Sequence, residues 1–378
     1  MPIAGTRIPL NSTEGQDRIT ITEKVTSPYF SDGSTELLGA SIISTSLSDT
    51  NETYYFGVSN SNTPTVAEFH VAFGSLNGYG GNTIGGTVKS PTEAIYKEWA
   101  NILLPANEVT GGFFISDQGS SGQLSNTNDD EIFILVAERS LMKDRLNKKN
   151  WTIALSGSAT LGVGSGADGA PKLELTDDST NDSPTATPVG DRYNIVSGTN
   201  GTVHTEATTR TFGFYYPDMG VMVFSAAELS ASIPGSGSAA NVAAKATFGP
   251  VTDVSANKFR GFAFSTDTNA NEHTALRFVN CLKPTGAKLK FRDEEDQVSS
   301  QYFCRAKAGE FNFSNNPTFV SGSQNELRQS TMRGNPTTFI TSVQLYNGNG
   351  DMVAVGNLST PLKKNFSSEA TIKVKLTY

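Results

Sequence analysis

Apolar and polar residues alternate at strand period in several stretches of the chain. Arg18-Ile19-Thr20-Ile21-Thr22 has the pattern of a half-buried strand, and Phe69, Val71 and Phe73 alternate with Glu68, His70 and Ala72. Tyr54-Tyr55-Phe56-Gly57-Val58 predicts a short aromatic strand before them. Ile132 to Val136 is a continuous apolar run, the pattern of a strand buried on both sides. Further strands are predicted over 151–155 and 192–196. Residues 211–216 and 221–224 read as a hairpin closed by Pro217-Asp218-Met219-Gly220. The clearest hairpin joins 339–346 to 351–356 through Asn347-Gly348-Asn349-Gly350. The stretch from Ala370 to Tyr378 alternates throughout, with Ile372, Val374 and Leu376 on one face and Lys373, Lys375 and Thr377 on the other. Such a strand must be paired, within its own sheet or with another subunit.

Helical signals are few. Ser90-Pro91-Thr92-Glu93 combines a capping box with proline at the first helical position, and Pro105 ends the helix. Ile95, Trp99 and Ile102 recur at spacings of four and three, predicting a core-facing stripe. His273 to Leu282 fits a helix or a strand. Residues 156–190 are rich in Gly, Ser, Thr, Asp and Pro and read as a linker or surface loop. The expected organisation is an extended arm over 1–25, a β-rich domain over 26–185 and a second β-rich module over 186–378. The expected fold class is mainly β, with antiparallel sandwiches or sheets, long loops and few short helices. The polar stretch Asn11 to Asp17 is expected to fray in a solitary protein and to lie on a neighbour in an assembly.

Composition sharpens this picture. Charged residues are 17% and hydrophobic residues 37% of 378, with 36 glycines, which fits polar strand faces and many turns. The 22 Phe and 11 Tyr are too many for a solvated coil. A net charge of -8 argues against a nucleic-acid coat, so no nucleic-acid partner is expected. No run of about 18 apolar residues occurs, so no membrane span is expected. The opening residues lack an apolar signal core, and the protein is expected to stay in the compartment where it is made. Cys281 and Cys304 lie in apolar strand-like contexts and read as buried free thiols.

The chemistry-bearing residues do not converge. His70, His204 and His273 lie outside metal-motif spacing of one another or of a cysteine and read as surface residues. Gly162-Val163-Gly164-Ser165-Gly166 lacks the Lys-Ser of a phosphate loop and the central serine of a nucleophile elbow. Asp293-Glu294-Glu295-Asp296 is the sharpest charge feature. Without an alternating, glycine-kinked ligand loop it reads as a solvated turn. The basic cluster Lys143, Arg145, Lys148 and Lys149 reads the same way. No catalytic, cofactor-binding or metal-binding residue is expected, and no enzymatic activity.

Three segments carry a family resemblance. Tyr302 to Phe319, Gly334 to Thr341, and Lys363-Lys364-Asn365-Phe366 through Tyr378 resemble segments of structural proteins of T4-like bacteriophages of cyanobacteria and other marine bacteria. Phe214 to Gly220 is similar to a piece of the same module. The resemblance covers 190–378 well and the preceding half more weakly, and it transfers no active site. It implies a virion protein, made in the host cytoplasm, of the tail or baseplate of a contractile tail. Its partners would be other virion proteins and possibly copies of itself. A receptor- or carbohydrate-binding module of a fibre, a neck protein and a capsid decoration protein are the alternatives. Exposed aromatics beside Asn and Asp would mark the binding module.

Overall fold

A computed structural model describes residues 9–10, 17–37, 41–43, 55–60, 63–78, 91–115, 128–155, 173–204, 210–229, 275, 278–279, 282 and 288–378. In chain order the strands begin with β1 (Arg18–Pro28), β2 (Glu36–Leu37), β3 (Ser41–Ile43), β4 (Tyr55–Ser59) and β5 (Ala67–Ser75). Helix α1 (Pro91–Leu103) precedes β6 (Glu131–Ala137), β7 (Arg145–Leu146), β8 (Thr152–Leu155) and β9 (Leu173–Asp177). Then come β10 (Thr185–Thr187), β11 (Gly190–Thr199), β12 (Thr202–Val203), β13 (Gly213–Tyr216) and β14 (Val221–Ser225). The last third holds β15 (Lys288–Lys290), β16 (Arg292–Ala306), β17 (Val320–Ser321), β18 (Glu326–Leu327), β19 (Thr338–Tyr346), β20 (Met352–Lys364) and β21 (Ala370–Thr377). The chain is mainly β, and its described strand pairs are antiparallel.

Two units divide the chain: Val25–Glu295, and a discontinuous unit made of Met1–Lys24 with Asp296–Tyr378. The boundary expected at 185/186 falls inside β10, in a sheet that continues through it. On one side β9 pairs with β8, and on the other β11 pairs with both β9 and β13. Pro188 lies in the short turn that joins β10 to β11, where Thr187 pairs with Gly190. Residues 156–172, the first half of the expected linker, lie outside the described residues.

The Val25–Glu295 unit is built on one long sheet in the order β2-β15-β8-β9-β11-β13-β14-β6-β5-β4-β3. Its middle strands are apolar on both faces because each face has its own core. Ile132, Ile134, Phe214, Tyr216, Val221 and Val223 enter one cluster. Their neighbours Phe133, Leu135, Tyr215, Met222 and Phe224 enter the other. The sheet curls around the second core: Phe69 on β5 meets Phe291, which follows β15, at 4.9 Å between ring centroids, and Trp151 stacks on Phe291 at 5.6 Å. In the ambiguous 273–282 stretch, Ala275, Phe278, Val279 and Leu282 are helical and buried, with the i, i+3, i+4, i+7 spacing of one helix face.

Helix α1 covers the first core, with a different face inward from the one expected. Thr92, Tyr96, Ala100 and Leu103 are buried, Ile95 and Trp99 flank them, and Ile102 is exposed. Close approach decides this. A Cβ added to Gly74 of β5 would lie 3.0 Å from the Tyr96 Cα, so the helix backbone rests almost directly on the strand. Thr92 and Ala100 are small enough for that contact. The Tyr96 hydroxyl then donates to Asp129 O (2.9 Å) and accepts from Phe113 N (2.9 Å), which satisfies three polar groups in the core. Ser90 of the expected capping box lies outside the described residues, and Glu93 pairs instead with Lys97 one turn later.

Hairpin β13–β14 has the expected Tyr216↔Val221 register and is closed by a bond from Gly220 N to Pro217 O (3.2 Å). In the other unit, β21 pairs with β16 from Ser299↔Thr377 to Ala306↔Ala370. Ile372, Val374 and Leu376 share its inner face and are half-buried. Strands β19 and β20 form a two-stranded sheet of their own. The expected tight turn between them is a five-residue loop, Asn347 to Asp351. Asn347 Oδ1 accepts from Asn349 N (3.0 Å) and Asp351 N (2.8 Å), and Gly350 adopts φ 94°.

Candidate functional site

The acidic run 293–296 and the basic cluster 143–149, expected as two solvated turns, are joined in the structure. Strand β7 pairs with the start of β16, Asp293 opposite Leu146 and Glu294 opposite Arg145. Asp293 and Glu294 are buried. Arg145 Nε donates to Glu294 Oε1 at 2.8 Å, Asn147 Nδ2 donates to Glu294 Oε2, and Lys143 N donates to Asp293 Oδ2 at 2.7 Å. Lys143 Nζ lies 3.1 Å from Glu295. Burial raises the Asp293 carboxyl above its ordinary value against the pull of the Lys143 and Glu294 backbone N–H groups. Lys148 and Lys149 work locally too, Lys148 Nζ on Tyr193 OH (2.8 Å) and Lys149 N on Asp177 (2.9 Å). Arg145–Glu294 and Lys143–Glu295 are thus ion pairs across the start of β16, whereas Lys149 contributes its backbone N–H and is exposed.

Other titratable groups are also built into the fold. Buried Asp129 accepts from Ile115 N (2.7 Å) and from the Ser225 hydroxyl. Burial pushes the neighbouring Glu131 up to about 7, with Asp130 and Asp129 adding to the rise. Asp178 is raised to about 6 by burial, against two bonds from Asn194. Glu68, on the polar side of its strand in the sequence pattern, is buried and accepts from Ser31 N and Ser31 Oγ. Burial raises it as well. His70 is half-buried, with Nε2 3.1 Å from Glu138, and exposed His204 meets Ser197 at 3.3 Å. Cys304 is a free, half-buried thiol whose pKa burial raises. His273, Cys281 and Gly162 to Gly166 lie outside the described residues. Among the described residues no cluster of His, Cys, Asp and Glu is placed to hold a metal ion, and no helix is long and apolar enough to cross a membrane.

Among the described residues, exposed apolar side chains gather on the β19–β20 ribbon. Phe339, Met352, Val353 and Val355 are 55–61% exposed, and Tyr346 and Leu362 are exposed as well. Its second face, with Val343, Leu345 and Ala354, is only half-buried. Among the described residues each strand is paired as a strand only with the other. Two-stranded hairpins are marginal in water, and open apolar edges invite further pairing. The tip is less suited to a saccharide: Asn347 and Asp351 bond each other at 3.0 Å, and the Tyr346 hydroxyl bonds Gln344 at 2.6 Å. Sequence reading found this hairpin but not its exposure, which depends on what the rest of the chain fails to cover. No family model, curated protein or solved structure matches the chain.

Proposed function

We propose that this chain is a structural component of a tailed-bacteriophage virion, in the tail or baseplate, acting by subunit assembly and not by catalysis. The exposed apolar ribbon β19–β20 carries the assembly reading: it is the surface that a partner strand or sheet would complete. The resemblance of the C-terminal segments to T4-like phage structural proteins supplies the virion context. The polar groups described above bond within the fold, in keeping with a scaffold role. Immunogold labelling of intact virions with antibody to the purified chain tests the proposal. Label at the tail or baseplate is the expected result, and absence of the chain from purified virions overturns it. The same preparation is expected to turn over neither polysaccharide nor peptide substrates. Turnover abolished by one acid or histidine substitution would refute the non-catalytic half.

A further inference from the structure

We infer that the ribbon docks on a second copy of this chain, the two β20 strands joining antiparallel about a two-fold axis into a four-stranded sheet. This rests on the assembly reading above and names its partner.

Charge is the first argument. From Thr338 to Leu362 the only charged side chain is Asp351, in a chain that is 17% charged overall. A charged partner would leave its own groups unpaired and desolvated against such a surface. A like surface meets no penalty, provided that its single acid avoids its own image. Antiparallel pairing centred on Ala354 meets that condition. It sets Asp351 opposite Asn357 of the other copy and holds the two Asp351 residues about 20 Å apart along the strands, beyond the Debye length of about 8 Å.

The same register suits the apolar groups. Val353 of each copy falls opposite Val355 of the other, on one face, and among the described residues these are two of the most exposed apolar side chains. Met352 falls opposite Gly356, where a Cβ would meet nothing within 4 Å, so the longer side chain has room. The devices that blunt natural edges, Pro361 and exposed Lys363, lie at the far end of β20. The run Met352 to Asn357 has none.

Equilibrium sedimentation of the full chain tests the inference, with Val353→Lys/Val355→Lys as the variant. Both side chains are exposed, so the variant is expected to keep the wild-type melting temperature. Wild type is expected to show a concentration-dependent dimer, and the variant a dissociation constant raised at least tenfold. Ala354→Cys places one thiol on the axis, at the Cα separation of paired strands, about 4.5–5.5 Å, which a disulfide can bridge. It is expected to form a covalent dimer on mild oxidation where wild type does not. A wild type that stays monomeric at every concentration, a dimer indifferent to the two lysines, or a cysteine variant that fails to cross-link overturns the inference. Each of these outcomes leaves the virion reading standing, since that depends on labelling of virions alone.

Discussion

Arg145 and Glu294, 149 positions apart in sequence, meet with Nε and Oε1 2.8 Å apart across the β7–β16 pair. Glu294 is nearly fully buried, and this guanidinium and Asn147 both bond its carboxylate. Replacing Arg145 by Met should destabilise the Val25–Glu295 unit by about 2–4 kcal/mol, the upper end tempered by the partial exposure of the arginine. The double replacement Arg145→Met/Glu294→Met should cost less than the arginine change alone, because no buried charge is then stranded. Chemical denaturation of the four proteins checks this. A double mutant less stable than Arg145→Met would be the contrary result.

Stability should also depend on pH. Burial holds Glu131 at about 7 and Asp178 at about 6, both above their ordinary values, so folding favours their protonated forms. That contribution is complete below about pH 4 and is lost as pH rises through 6 and 7. Glu138 opposes it at lower pH. Partial burial raises its carboxyl, but bonds from His70 and Ser140 bring it below the ordinary value. The melting temperature is therefore expected to be higher at pH 5 than at pH 8. Glu131→Gln should flatten the upper part of the profile. Melting curves at fixed ionic strength decide the matter.

What the sequence reveals depends on the range of the interaction. Strands β5, β6, β13 and β14 and the pairing of β19 with β20 are written in local alternation and turn chemistry, and the structure places them as expected. The face of α1 was misread because apolar spacing favours Ile95, Trp99 and Ile102, whereas the buried face is chosen by contact with Gly74 and by the bonds of Tyr96. Asp293 and Glu294 read as solvated because charge alone signals water, and their partners lie some 150 residues earlier. The ribbon is legible as a hairpin and the exposure of Phe339, Val353 and Val355 is not, since no local pattern records burial by distant segments.

Lys364 is fully buried, and its ammonium donates to Ala308 O (3.1 Å), Asn312 Oδ1 (2.9 Å) and Asn365 O (3.0 Å). Burial lowers its pKa, and Glu310 and Glu369 offset part of that. Lys364→Met strips three acceptors at once and is expected to cost about 1–3 kcal/mol. Lys363→Met, one residue earlier and exposed, should stay within about 0.5 kcal/mol of wild type. Thermal melts of the pair separate the two. Equal effects would mean that the bonding of Lys364 is irrelevant to stability.

Deleting residues 370–378 removes the whole partner of β16 from Ser299 to Ala306 and opens that strand as an edge. Aggregation or a lowered melting temperature is expected. Lys373→Thr and Lys375→Gln, on the exposed face, should each change stability by less than about 0.5 kcal/mol. Solubility and differential scanning calorimetry provide the comparison. A truncated chain with an unaltered melt would show that β21 contributes nothing to the fold.

The nesting of one unit inside the other dictates a timetable for synthesis. β1 belongs beside β16, yet the whole of Val25–Glu295 is translated between most of one and most of the other. At about 5–20 residues per second the first strand waits on the order of tens of seconds for its neighbour. The inner unit can mature on the ribosome during that delay. The outer one cannot close until Ala370–Thr377 has emerged, so a stalled or prematurely terminated ribosome would release a finished inner unit carrying an unfinished outer one.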